Sequence, residues 1–150
     1  MPDSAVIRPY EPADLVALLG VWRRSSDLAH PFLDAEFQDG EAKAIAEVYL
    51  PNAETETWVS IEGDRLVGFL TLIGNEVGAL FVEPADHGRG LGRALMDHAR
   101  VVRGRLEVEV FEENAIGRRF YERYGFRFVR RGVHGPSGLP IHRLELDPEA

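Results

Sequence analysis

The chain contains no cysteine. That absence excludes a disulfide framework, thiolate metal sites and covalent catalysis through a cysteinyl thioester, and it fits a reducing compartment. Long hydrophobic runs are also missing. No stretch approaches the ~20 apolar residues of a membrane span, and Met1-Pro2-Asp3-Ser4 does not open like a secretion signal. The chain is therefore expected to be cytoplasmic, with no membrane partner. Lysine is nearly absent, Lys43 standing alone, and the 17 Lys and Arg are outweighed by 25 Asp and Glu, for a net charge of −8. Such acidity argues against nucleic acid, whose binding rests on a basic surface, and is compatible with a cationic partner. The five histidines show no metal-ligand spacing, so no metal is expected. With 150 residues, 45% of them hydrophobic, and no repeat, linker or low-complexity tract, a single domain over 1–150 is expected.

What is present concentrates in two places. The first is His87-Gly88-Arg89-Gly90-Leu91-Gly92-Arg93, preceded by the apolar run Val77 to Val82 and followed by a helical pattern from Leu91. A strand feeding a glycine-rich loop onto a helix N-terminus brings backbone N–H groups and about half a positive charge to a bulky anion. Arg89 and Arg93 add charge that can neutralise phosphate. The loop reads as a diphosphate cradle. It is not a P-loop, for no Gly-Lys-Ser/Thr follows, and it is not the dinucleotide fingerprint, because position 93 is Arg where that spacing needs Gly. A strand-to-helix turn without a ligand is the bland alternative.

The second place is Asn114 to Phe126. Ile116, Phe120 and Tyr124 recur every fourth residue and predict a core-facing stripe. Asn114, Gly117 and Tyr121 fall on another face of the same helix, with Gly117 leaving room for an extended ligand and Gly125 ending the helix. Taken singly, Asn114 reads as an ordinary N-cap and Tyr121 as a half-buried aromatic.

Together these residues resemble the GNAT superfamily of acetyl-CoA-dependent N-acetyltransferases. Val82-Glu83-Pro84 and Gly90-x-Gly92 match the family's strand end and loop; Asn114, Tyr121-Glu122 and Gly125-Phe126 match its later pattern in full. There are two departures: His87 stands where Gln or Arg is usual, and Gly117 where Ala is usual. The segments Trp22-Arg23-Arg24-Ser25 and His30-Pro31-Phe32-Leu33 look like the small bacterial YjaB-type members. The resemblance implies acetyl-CoA as co-substrate, held by the backbone of Leu80, Phe81 and Val82, by residues 87–93 (His87, Gly88, Arg89, Gly90, Leu91, Gly92, Arg93) and by Asn114. It implies an oxyanion contact from an N–H near Phe81 or Val82, Tyr121 as the acid that protonates the leaving thiolate, and Glu109 as the base. The bland alternative for Glu109 is a solvated carboxylate paired with an arginine. An amine-bearing small molecule or peptide is the implied acceptor, and His30 falls where the family's acceptor site is often lined. A monomer or homodimer is expected.

The order of elements supports an α/β class built on a mixed sheet. Ala5 to Pro9 reads as an edge strand; Pro12 opens a helix with Leu15, Leu18, Leu19 and Trp22 on its apolar side; Phe32 to Leu50 is helical in parts, with a break at Gly40. A hairpin turns at Gly63-Asp64, and Val77 to Val82 reads as a central strand apolar on both faces. Helix 88–103, the strand Arg105 to Phe111, helix 114–124 and a last hairpin around 135–138 complete a sheet of six to seven strands, mostly antiparallel, flanked by about four helices. A non-catalytic acyl-CoA-binding module is the competing function, and a different nucleotide-binding fold is a third. Tyr121 and Glu109 favour the enzyme, since a pure binder needs neither.

Overall fold

The computed structural model describes residues 5–148. Strands β1 (Ala5–Pro9), β2 (Thr55–Glu62), β3 (Arg65–Ile73), β4 (Glu76–Val82), β5 (Leu106–Phe111), β6 (Arg127–Val133) and β7 (Pro140–Leu146) form one sheet in the order β1-β2-β3-β4-β5-β7-β6. Neighbours run antiparallel except β4 and β5, which are parallel and joined by the crossover helix α3 (Leu91–Arg103). This is the mixed, mostly antiparallel sheet expected. The β4–β5 pairing covers Glu76 with Glu107 and Val77 with Val108 and stops there among the described residues. Beyond that point the two strands part.

Helices α1 (Leu15–Ala29) and α2 (Ala35–Ala44) cover one face of the sheet; α3 and α4 (Ala115–Tyr124) cover the other. Helices α1 and α3 each bury a stripe. On α1 the buried residues are Leu18, Val21, Trp22, Ser25 and Ser26, while Leu15 and Leu19 are only half-buried. On α3 they are Leu91, Leu95, Met96 and Ala99. Burial of each such aliphatic side chain stabilises the fold by about 1.5–3 kcal/mol before the entropy of ordering is subtracted.

Three sequence expectations change. Helix α2 runs through Gly40 unbroken, and its departure from regular winding comes later, in a π-turn over Ile45–Tyr49. Strand β4 is not buried on both faces: Val77 is buried, but Ala79 to Val82 are half-exposed, because parting from β5 opens a groove beside them. On α4, Ile116 is 41% exposed and Tyr121 only 7% exposed. Tyr121 joins the core with Val108, Val110 and Phe126, and Phe120 and Tyr124 pack at its edge. The chain after Tyr124 turns at Gly125 and brings Phe126 back onto the Tyr121 face, a contact across the helix end that the four-residue recurrence does not anticipate.

Candidate active site

A groove of about 810 Å³ passes between the parted strands. Its lining includes Leu80, Phe81, Val82, His87, Gly88, Gly90, Leu91, Gly92, Arg93, Glu109, Asn114, Gly117 and Tyr121, so nearly all the sequence-derived candidates meet in one place. Arg89 is not among them.

The strand edge comes first. The N–H of Glu83 donates to the Val67 carbonyl on β3 at 2.8 Å. Alternation along β4 then turns the backbone of Val82 and Leu80 toward the gap. Phe81 O faces β3 instead, close beside Gly68. Leu80 and Val82 therefore present backbone to the groove, and Phe81 contributes its ring. The Val82 carbonyl is already satisfied: Ser25 Oγ and His87 Nε2 each donate to it at 2.9 Å. His87 is thus spent on the strand end, where the sequence suggested a diphosphate contact. The backbone polar groups left on this edge have no strand partner, and an amide-bearing ligand arm is the kind of molecule that pairs them.

The loop follows. Gly88 and Gly90 have φ of +83° and +84°, a left-handed backbone that side chains disfavour. The first helical bond of α3 is Ala94 N to Gly90 O at 3.0 Å, so the N–H groups of Leu91, Gly92 and Arg93 have no partner within the helix. Three such amides at a helix start can hold an anion, and the sequence expectation of a diphosphate cradle rests on them. Gly92 is glycine for a second reason: a Cβ there would meet the Phe120 ring at 3.2 Å, where α3 crosses α4. Arg89 turns away from the cradle, held by Asp86 at 2.7 Å and by Glu62, while Arg65 reaches the same Asp86 at 3.0 Å. Arg93, its guanidinium 5.6 Å from the Tyr124 ring centroid, lines the groove, as do Arg119 and Arg123 of α4. Positive charge on the cradle side therefore comes from α3 and α4.

The opposite side is different. Along β5, Val108 and Val110 face the α3–α4 core, so Glu107 and Glu109 face the α1–α2 side. Glu109, 41% exposed, pairs with Arg143 at 3.0 Å, its cross-strand neighbour on β7. Arg143 also holds Glu76 at 3.3 Å and Glu107. Glu107 is paired with Arg105 as well, at 2.7 Å; Glu76 and Glu109, which line the groove together with Glu41 from α2, share Arg143 and leave this wall a negative excess. Beside it runs a line of aromatic rings in edge contact: Phe37 with His134 (6.2 Å), His134 with Phe111 (4.9 Å), Phe111 with His30 (5.1 Å), and His30 with Phe81 (6.4 Å). His142 pairs with Glu112 and packs on Phe128.

Asn114 caps α4 through Oδ1, which accepts from Gly117 N at 2.8 Å. A Cβ on Gly117 would lie 2.5 Å from Asn114 Nδ2, so the space left by the glycine is taken by this amide and not by a ligand. Tyr121 stands two turns further on. Burial raises its phenol well above the ordinary tyrosine value, keeping it protonated. Sequence reasoning missed Arg119, Arg123, Phe37, Phe111 and Glu41; each reads as an ordinary helix-surface or strand residue until the groove brings them together.

Comparison with known proteins agrees with this geometry. The acetyltransferase (GNAT) domain family matches residues 53–128. The chain is 36% identical over 130 residues to the peptidyl-lysine N-acetyltransferase YjaB of Escherichia coli, covering 86% of each protein. It is 33% identical over 136 residues to the peptidyl-lysine N-acetyltransferase YiaC of the same organism, covering 90% of this chain and 92% of that one. The solution structure of apo YjaB superposes with a TM-score of 0.83 at 32% identity, over 94% of this chain and 96% of that one. Parted parallel strands, an amide cradle at the start of α3 and relatives matched over most of their length lead to one conclusion: the chain belongs to the GNAT family of acetyl-CoA-dependent N-acetyltransferases.

Proposed function

We propose that the acceptor amine is the side chain of a lysine in a peptide or protein. The observation that carries this is the line of rings from Phe37 to Phe81 beside the carboxylates Glu41, Glu76 and Glu109. A flexible apolar stem ending in a cation suits such a wall: the stem packs on rings, and the ammonium is drawn by ring faces and carboxylates. The relatives named as peptidyl-lysine acetyltransferases support the same class.

Acetyl-CoA supplies a thioester whose carbonyl carbon is attacked by nitrogen, forming the C–N bond as the C–S bond breaks. The amides of Leu91, Gly92 and Arg93, with Arg93, hold the diphosphate. The free backbone of Leu80 pairs the pantetheine arm, and the N–H of Val82, whose carbonyl is taken by Ser25 and His87, faces the developing oxyanion. Glu109 takes the proton released by the amine, through water. Tyr121 donates its proton toward the leaving sulfur as negative charge builds there. Burial makes Tyr121 a weaker acid but leaves it protonated and in place, so donation happens late, against a forming thiolate.

The test is a panel of lysine peptides, N-terminal amines, polyamines and aminoglycosides incubated with the protein and acetyl-CoA, read by thiol release and by mass spectrometry of the product. Acetyl on the lysine Nζ with the highest kcat/KM in the panel is expected. Acetyl found on α-amines or small molecules alone overturns the lysine reading.

A further inference from the structure

The geometry points to His30 as a positioning residue for acetyl transfer, its imidazole holding the Asn114 amide over the first turn of α4 and so fixing α4 against the groove. His30 follows the last residue of α1 and is 9% exposed. Its Nε2 lies 3.1 Å from Asn114 Nδ2, and its Nδ1 lies 3.2 Å from Ser26 Oγ. The tautomer follows from the partners. Asn114 Oδ1 is committed to the Gly117 N–H, so the end of the amide that reaches His30 is NH2, a donor. His30 Nε2 must then be the acceptor, and Nδ1 carries the proton and donates to Ser26 Oγ.

The ring itself is clamped. Phe32 meets it at 5.6 Å, Phe111 at 5.1 Å and Phe81 at 6.4 Å. Phe81 sits on β4 and Phe111 at the end of β5, the two strands that part. One imidazole therefore ties α1 to both lips of the gap and to the start of α4. Gly117 completes the arrangement, since a methyl group there would collide with the amide His30 holds. This departure from the alanine expected at 117 and the histidine at 30 work as a pair. Without the acceptor at His30, the buried Asn114 NH2 is orphaned and its cap on α4 loosens. A shift of ~1 Å in a catalytic element costs about 10²-fold in rate.

The inference rests on the groove being the transfer site, not on lysine being the acceptor. If the panel finds another amine, the same variants are assayed on it. The experiment compares His30→Leu, His30→Gln, Gly117→Ala and the Leu/Ala double variant in steady-state kinetics, thermal melts and long-range 15N–1H spectra of the histidine rings. His30→Leu should lower kcat about 10- to 100-fold, leaving acetyl-CoA Kd within about 3-fold. His30→Gln, whose Oε1 can accept from the amide, should recover most of kcat. Gly117→Ala should lower kcat similarly, and the double variant should be no worse than the poorer single one, as coupled residues behave. The spectra should show His30 protonated on Nδ1. Equal loss in the Gln and Leu variants overturns the proposal, as does a change in acceptor KM in place of kcat, additive losses in the double variant, or a proton on Nε2. If His30→Leu fails to fold, the Gln and Gly117→Ala results still decide it.

Discussion

The rings of Tyr121 and Phe126 meet edge to face, centroids 5.3 Å apart at 69°. Phe126 is five positions beyond Tyr121, with the turn at Gly125 between, and the contact holds the Tyr121 ring in the core while the residue still lines the groove. Removing only the hydroxyl, Tyr121→Phe, should leave the melting temperature and acetyl-CoA affinity close to wild type and lower turnover roughly 10²–10⁴-fold. Because burial keeps the phenol protonated far into the alkaline range, any fall in rate at high pH should persist in Tyr121→Phe. Full turnover in the variant, with chemistry shown to be rate-limiting, removes Tyr121 from the acid role.

Glu109 shares Arg143 with two other carboxylates. A proton acceptor matters most where the amine is most protonated. Glu109→Gln should therefore lower kcat/KM roughly 10²-fold at the acid end of the profile and converge on wild type at the alkaline end. A pH–rate profile parallel to wild type leaves Glu109 as a structural partner of Arg143.

Arg89 and Arg93 separate two roles that look alike in sequence. Arg89→Ala should lower the melting temperature, because Asp86 and Glu62 each lose one of their partners and keep Arg65, and leave acetyl-CoA affinity nearly unchanged. Arg93→Ala should weaken acetyl-CoA binding and flatten its dependence on salt, with little change in melting. Calorimetry at two ionic strengths checks both, and the reversed pattern contradicts the assignment.

Gly90 precedes α3 with φ +84°. Gly90→Val places a branched side chain in a left-handed conformation beside the cradle, at a cost of about 1–3 kcal/mol in stability. Acetyl-CoA affinity should fall by much more than that strain alone accounts for. Binding as tight as wild type in a folded variant places the cradle elsewhere.

Burial, with a smaller contribution from His134, lowers the pKa of His30 from 6.5 to about 4. Between those values the unfolded chain binds a proton that the folded chain does not. Stability is full above about pH 6.5 and falls as pH drops toward 4, by on the order of 3 kcal/mol from this group. His98 is lowered by burial as well and acts in the same direction. Melting of wild type and His30→Gln between pH 4 and 7 isolates the His30 part: the Gln variant should lose less stability on acidification. Equal slopes mean His30 is not held neutral.

The loop 87–93 and the run 114–126 were legible as a candidate site, and they do line one groove, because their meaning is local. Glycine spacing, a strand leading into a helix, and a cap residue are set by backbone sterics and orphan amides within a few residues. The same holds for the order of strands and helices, which periodicity alone marks. What neighbouring residues do to one another across the sheet was not legible. Arg89 stands beside Arg93 in the same loop, yet the pairing of β2 and β3 brings Glu62 and Arg65 up to Arg89 and Asp86 and takes Arg89 out of the cradle. Tyr121 and Ile116 exchanged their expected burial because Phe126 folds back onto one face of α4 and not the other. His30 and Asn114 are 84 positions apart, and their bond exists only where α1, β4, β5 and α4 converge. The sequence by itself determined the elements, their order and the chemistry each segment offers. The tertiary structure alone decided which charges are spent on one another and which remain for a ligand, because ion pairing and burial depend on distances that chain separation does not set.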